Sequence, residues 1–196
     1  VQSSESGVQS FAVNWFEIQL NYAKAFLDTE LKQFRLSEAL KTIYSLIWDD
    51  FCSWYLEWIK PGFEQPIDKV VYDKTVGFFE ELMQLLHPFM PFITEEIYHN
   101  LKNRNEGDDI CIKQLDSPEK VDVEIFESGY KLKKIITAIR DARNKNQLKP
   151  KDTIKLHVLT DNSETYKSIE SILLKQVNAE SVSYTSSSVA NSITVV

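Results

Sequence analysis

Trp48-Asp49-Asp50-Phe51-Cys52-Ser53-Trp54-Tyr55-Leu56-Glu57-Trp58-Ile59-Lys60-Pro61 holds three of the four tryptophans in the chain. Phe51, Trp54, Tyr55 and Trp58 recur three or four residues apart, the spacing that puts side chains on one face of an α-helix. Lys60 suits the negative end of a helix dipole, and Pro61-Gly62 stops the helix. The same periodicity runs upstream through Leu40, Ile43 and Ile47 to Ser37, a helix-capping residue type, with Glu38 in the first turn. A helix with such an aromatic stripe must bury it against neighbours, so the stretch predicts a helical bundle with Trp54 and Trp58 in the core.

Working outward, a first helix is expected over 10–33, with Phe16, Leu20, Ala23, Leu27, Leu31 and Phe34 on its apolar face and a break at Phe34-Arg35-Leu36. Pro66 and Asp68 open a third helix to His87, faced by Val70, Phe78, Phe79, Leu82, Met83 and Leu86, with Gly77 a weak point or a close-packing position. Pro88 and Pro91 force an extended connection pinned by Phe89 and Phe92. Thr94 is the expected cap of a fourth helix, with Ile93 and Tyr98 as its hydrophobic staple. Residues 103–109 read as a polar loop and Ile110-Cys111-Ile112 as β-prone. A fifth helix is expected over 123–146, through Tyr130, Leu132, Ile135, Ile136 and Ile139. After Pro150 the pattern changes to a strand over 153–160, a helix over 164–176, and strands over 182–185 and 193–196. The expected class is mainly α: an antiparallel helical bundle over residues 1–122, then a basic helix with a small α/β appendage over 123–196. Only five glycines in 196 residues agree with helices over a many-stranded sandwich.

Composition narrows the function. At 43% hydrophobic residues the chain can bury a sizeable core. No uncharged apolar run approaches the about 18 residues of a membrane span, and the N-terminal residues carry no signal-peptide pattern. Cys52 and Cys111 read as buried free thiols in a reducing cytosol, and with His87, His99 and His157 scattered and no CxxC pair, no metal site is expected. A net charge of −7 argues against a polyanionic partner. Between Lys131 and Lys151, however, eight basic residues stand against the single acid Asp141. Polyanion binding follows the charge of the contacting face, not the total.

The order of residues carries a resemblance as well. The FCSWYLE run with Lys60-Pro61 resembles the anticodon-binding region of the valyl-tRNA synthetases, which belong to the class Ia aminoacyl-tRNA synthetases. Leu85-Leu86-His87-Pro88-Phe89-Met90-Pro91-Phe92-Ile93-Thr94-Glu95-Glu96-Ile97-Tyr98 is similar to a helix junction shared across that class, with Tyr98 where Trp is common. Ile139-Arg140-Asp141-Ala142-Arg143 leading to Lys149-Pro150-Lys151, and Arg35-Leu36-Ser37-Glu38-Ala39-Leu40, resemble two further segments of the valyl enzymes. The resemblance implies a carboxy-terminal piece of a larger monomeric, cytoplasmic enzyme that joins valine to its tRNA with ATP and magnesium. The family's HIGH-like and KMSKS-like signatures do not occur in the chain, so the piece itself is expected to hold valine-specific tRNA, to bind no cofactor and to catalyse nothing.

Two groups of residues are expected to touch RNA. Phe34 and Arg35, at the helix break, could stack on and contact an unpaired base; the alternative puts Phe34 in the core and Arg35 in a surface ion pair. Lys134, Arg140, Arg143, Lys145, Lys149 and Lys151 could neutralise phosphates; the alternative is a solvated basic face. His87 reads as architectural, because the sequence places no carboxylate or nucleophile beside it. A reading from a different class is a protein-interaction module, which would expose several tryptophans in one patch. The isoleucyl and leucyl enzymes are a closer alternative, since they share the His-Pro junction.

Overall fold

The structure, a computed structural model, describes residues 2–62, 64–117, 122–190 and 192–194, with side chains from residue 10 onward. Two compact units divide the chain: Ala12–Asp122, and Val123–Val196 together with Val1–Phe11.

The first unit is helical. Helix α1 (Gln2–Lys32) starts earlier than expected, and only its residues from Ala12 onward belong to this unit. It is followed by α2 (Leu36–Ser45), a π-helical segment (Leu46–Tyr55), α3 (Leu56–Ile59), α4 (Lys69–Leu86) and α5 (Pro91–Leu101). Contacts fix their directions. Trp15 in the middle of α1 meets Trp58 at the end of the next helical run (centroids 4.5 Å apart), while Glu30 at its end meets Arg35 at that run's start. The two therefore run antiparallel. Along α4, Lys74 pairs with Glu17 and Glu81 with Lys24, so α4 runs parallel to α1. Phe16 sits at the centre, with Phe51, Tyr55 and Phe78 all about it at 5.0–5.1 Å. Such offset and tilted ring pairs each add about 0.5–1.5 kcal/mol beyond their burial.

The π segment corrects the expected stripe. Five-residue hydrogen bonding, as in Leu56 N–H to Phe51 O, widens the turn. The inward positions become Leu46, Phe51 and Tyr55 rather than a run at spacings of three and four. Trp58 is fully buried as expected, but Trp54 is only half-buried, Trp48 faces solvent, and the Cys52 thiol, expected in the core, is exposed, as is that of Cys111. Ser37 caps nothing: α2 begins at Leu36 behind Arg35, without a side-chain cap.

In α4, Asp68 is the cap, its Oδ1 accepting from Val70 N (2.8 Å) and Val71 N (3.3 Å). That phase turns Val71, Phe78, Leu82 and Leu85 inward and leaves Val70 exposed, against expectation. Gly77 packs against nothing: a β-carbon there would meet open space. Helix α5 starts three residues before the expected Thr94, because Pro91, with its fixed φ and missing N–H, suits the first helical position. Phe92 and Ile93 lie in that first turn and are exposed, so the staple does not form and, of the two expected pins, only Phe89 is half-buried. Thr94 is buried inside the helix, its Oγ1 donating to Met90 O (2.8 Å). With that hydrogen committed, His87 Nδ1 donates to Thr94 Oγ1 at 2.8 Å, which makes His87 the architectural residue expected. Ile110–Ile112 is a 3₁₀ turn, not a strand, drawn onto α5 by Glu95, whose carboxylate accepts from Ile110 N (2.8 Å) and Cys111 N (3.2 Å). The loop before it is anchored by Arg104, which stacks 3.7 Å over the Tyr98 ring and pairs with Glu80.

The second unit contains α6 (Val123–Lys145), β1 (Ile154–Leu159), α7 (Glu164–Lys167), α8 (Glu170–Val177) and β2 (Ala179–Thr185). The strands pair in parallel, as the intervening helices require. Ile154, Leu156 and Val158 alternate inward along β1, while α8 packs on β2 and α6 through Ile172, Leu173 and Val177. The single helix expected over 164–176 is broken at residues 168–169, where Ile169 is fully buried. Tyr130, expected on the apolar face of α6, is exposed. Of the strand expected over 193–196, residues 193 and 194 are not in a strand and 195–196 lie outside the described residues.

Candidate nucleic-acid interface

The corner between α1 and α2 is built by backbone. Phe34 N–H donates to Leu31 O (3.0 Å) and Arg35 N–H to Glu30 O (2.9 Å), a Schellman closure of α1. That closure needs one left-handed residue, and Phe34 fills the position at φ 58°, where glycine is usual. Its ring is consequently thrown outward, 87% exposed, so Phe34 is not a core residue. Arg35 Nη1 lies 3.6 Å from Glu30 Oε1; the Glu30 carboxylate is buried, while the Arg35 side chain remains 60% exposed. The ion-pair alternative for Arg35 thus holds in the structure without removing the group from solvent.

The expected phosphate-binding group splits in two. Arg143 is buried, and its guanidinium donates to four backbone carbonyls: Val177 (3.1 Å), Lys149 (2.5 Å), Pro150 (3.3 Å) and Asp152 (2.6 Å). It ties the end of α6 to the turn before β1 and to the end of α8, and it is not available to a phosphate. The cause is phase: Leu132, Ile136 and Arg143 lie on one inward line of α6. Lys134, Arg140, Lys145, Lys149 and Lys151 are exposed. Arg140 Nη2 donates to Gln176 Oε1 at 3.0 Å, and Lys134 Nζ lies 5.0 Å from the Tyr130 ring centroid. The turn bearing Lys149 is held from both sides, since Lys149 N–H donates to Asp152 Oδ2 (2.8 Å) and Asn178 Nδ2 donates to Lys151 O (3.0 Å).

His99, His157 and Asp108 make contacts within the protein. His99 Nε2 lies 3.0 Å from Asp109 Oδ1 and 3.3 Å from Glu95 Oε1; the three side chains are close enough to share a metal ion, but Glu95 is already bound to backbone N–H groups. His157 Nδ1 meets Ser183 Oγ at 2.6 Å across directly paired strands. The hydrogen bond from Tyr98 holds the Asp108 carboxyl below its usual range, with Arg104 and Lys113 adding to the effect. Glu30, Glu95 and Arg104 were not singled out in the sequence. Glu30 was findable, because it falls three positions after Leu27 on the inward line of α1, where a charge is out of place.

Comparison with known proteins agrees with this architecture. Residues 13–159 match the family described as the anticodon-binding domain of tRNA ligase. The chain is 38% identical over 174 residues to a valine–tRNA ligase of Parabacteroides distasonis, covering 89% of the chain and 20% of that protein. A valine–tRNA ligase of Phocaeicola vulgatus is 44% identical over 148 residues (76% and 17%), and one of Aquifex aeolicus 32% over 174 residues (80% and 15%). The chain therefore spans about a fifth of the length of the curated relatives it matches. Among the described residues no helix is long and apolar enough to cross a membrane. The match covers most of the chain, including nearly all of the helical unit around Phe16, and the chain belongs to the family of tRNA-ligase anticodon-binding domains.

Proposed function

We propose that the chain is the tRNA-holding segment of a valine–tRNA ligase, and that it orients valine tRNA for chemistry done elsewhere in the parent enzyme. What carries the reading is the match to the anticodon-binding family together with similarity to valine–tRNA ligases over nine-tenths of the chain. Two kinds of exposed surface support the reading. An exposed ring beside a cation, Phe34 with Arg35, suits an unpaired base and its phosphate. Exposed cations at Lys134, Arg140, Lys145, Lys149 and Lys151 suit a duplex backbone. Binding energy from this end would be used to hold the acceptor end in register with the reacting groups.

On this reading ATP, magnesium and valine are handled by other parts of a monomeric cytoplasmic parent, and the segment itself makes no covalent change. The test is direct titration of the chain with valine tRNA and with an unrelated tRNA across a range of salt. Tighter binding of valine tRNA, weakening as salt rises, is the expected result. Equal affinity for both, or no binding at low salt, refutes anticodon reading by this chain.

A further inference from the structure

Two residues at the α1–α2 corner break local rules together. Phe34 adopts a left-handed conformation that glycine or asparagine would take at less cost, and holds its ring in water. Four residues earlier, Glu30 places a carboxylate on the buried line that otherwise runs through Leu20, Ala23 and Leu27. For packing alone a leucine would serve better, since a buried charge loses its hydration and regains only part of it from one partner. That partner is Arg35 at 3.6 Å, and the backbone carbonyl of the same Glu30 accepts the Arg35 N–H at 2.9 Å. Glu30 thus grips Arg35 at both ends, through main chain and side chain, while leaving most of the guanidinium in solvent. Local rules broken in concert mark sites where something other than stability is being served.

We infer that Glu30 is a positioning residue for RNA binding: it fixes the Arg35 guanidinium at the corner that also carries the exposed Phe34 ring, so that the two meet an unpaired base and its phosphate from a pre-set arrangement. The inference rests on the reading of this corner as an RNA contact. Presetting matters because a free arginine side chain must lose its rotamer freedom on binding, and a side chain already held loses less.

The test uses the chain with the anticodon stem-loop of valine tRNA as probe, and the same stem with its loop base-paired as control. Arg35→Ala and Phe34→Gly should each weaken stem-loop binding about tenfold and leave the control unchanged. Glu30→Gln should weaken it about three- to tenfold, and should add nothing in the Arg35→Ala background. Glu30→Leu should bind as weakly as Glu30→Gln while melting no lower than the parent, a combination that a merely structural carboxylate would not give. Unchanged binding in Glu30→Gln, or an equal loss with and without Arg35, overturns the role of Glu30. If Arg35→Ala and Phe34→Gly both leave binding unchanged, it is the reading of the corner as an RNA contact that fails.

Discussion

Arg143 illustrates how a residue of the expected type at the expected place can have a different job. Its guanidinium donates to four carbonyls where α6, the pre-β1 turn and the end of α8 come together, and two of them, Lys149 O and Pro150 O, also accept from Asp152 N and Asn178 Nδ2. Arg143→Met should lower stability by about 3 kcal/mol or more, read by thermal or denaturant unfolding. Arg143→Lys should recover little of it, because one ammonium cannot fork to four acceptors. The neighbouring Arg140 is exposed, and Arg140→Ala should leave the melting temperature nearly unchanged while reducing the salt slope of RNA binding by about 0.7–1. A slope unchanged by Arg140→Ala would sink that assignment. In sequence the two arginines share a face by their spacing of three. What separates them is that Arg143 continues the line of Leu132 and Ile136, an apolar phase that the charge of the side chain disguised.

Tyr55 gives a second residue-scale outcome. Burial, only partly offset by its hydrogen bond to Thr75, pushes its phenol up to about 12 from an ordinary 10. The raised folded value means the contribution is complete below about pH 10 and is lost as pH rises toward 12, because the unfolded chain ionises first. Stability should therefore fall by on the order of 2 kcal/mol across that window. Tyr55→Phe should flatten the fall, and Thr75 would keep its own bond to Val71 O (2.7 Å) in that variant.

At the scale of elements, helix existence was legible and helix phase was not. The aromatic stripe announced a long helical run, and the run is there. The π segment between Leu46 and Tyr55 then rotated Trp54 part-way out, because a turn that closes on the fifth residue no longer obeys a 3.6-residue period. Trp48→Phe should accordingly remove much of the acrylamide-quenchable tryptophan emission, and Trp58→Phe almost none of it. The tryptophan patch that an interaction module would require is not formed, since Trp15 and Trp58 are fully buried and pack against each other with their rings tilted. Phase was lost again at α5, where proline chemistry at the first helical position prevailed over the capping preference of Thr94. Where a cap did form, its value is measurable: Asp68→Ala removes both hydrogen bonds at the start of α4 and should cost about 1 kcal/mol in unfolding.

On the scale of the whole molecule, charge and architecture point the same way. A chain of net charge −7 collects cations on α6 and the turn behind it, and the structure leaves five of the six candidate phosphate ligands in solvent. Joint replacement of Lys145, Lys149 and Lys151 by alanine should weaken tRNA binding most at low salt, with a slope reduced by about 2–3. A loss of affinity equal at all salt concentrations would point to a folding defect in the turn instead. Helices and an α/β appendage were readable because their apolar periods are long and regular. The corner at Phe34 was readable as a break but not as a left-handed Schellman closure, since that conformation depends on which backbone groups need partners rather than on residue type.

The parallel pairing of β1 with β2 also has a consequence in time. An antiparallel hairpin can close as soon as its second strand leaves the ribosome a few residues later. Here β1 ends at Leu159 and its partner begins only at Ala179, after α7 and α8. At a synthesis rate of about 5–20 residues per second the nascent β1, carrying Ile154, Leu156 and Val158, waits roughly 1–4 s for β2. Through that interval its backbone edge and apolar side chains are open to whatever else is nearby, so β1 is exposed to mispairing during translation.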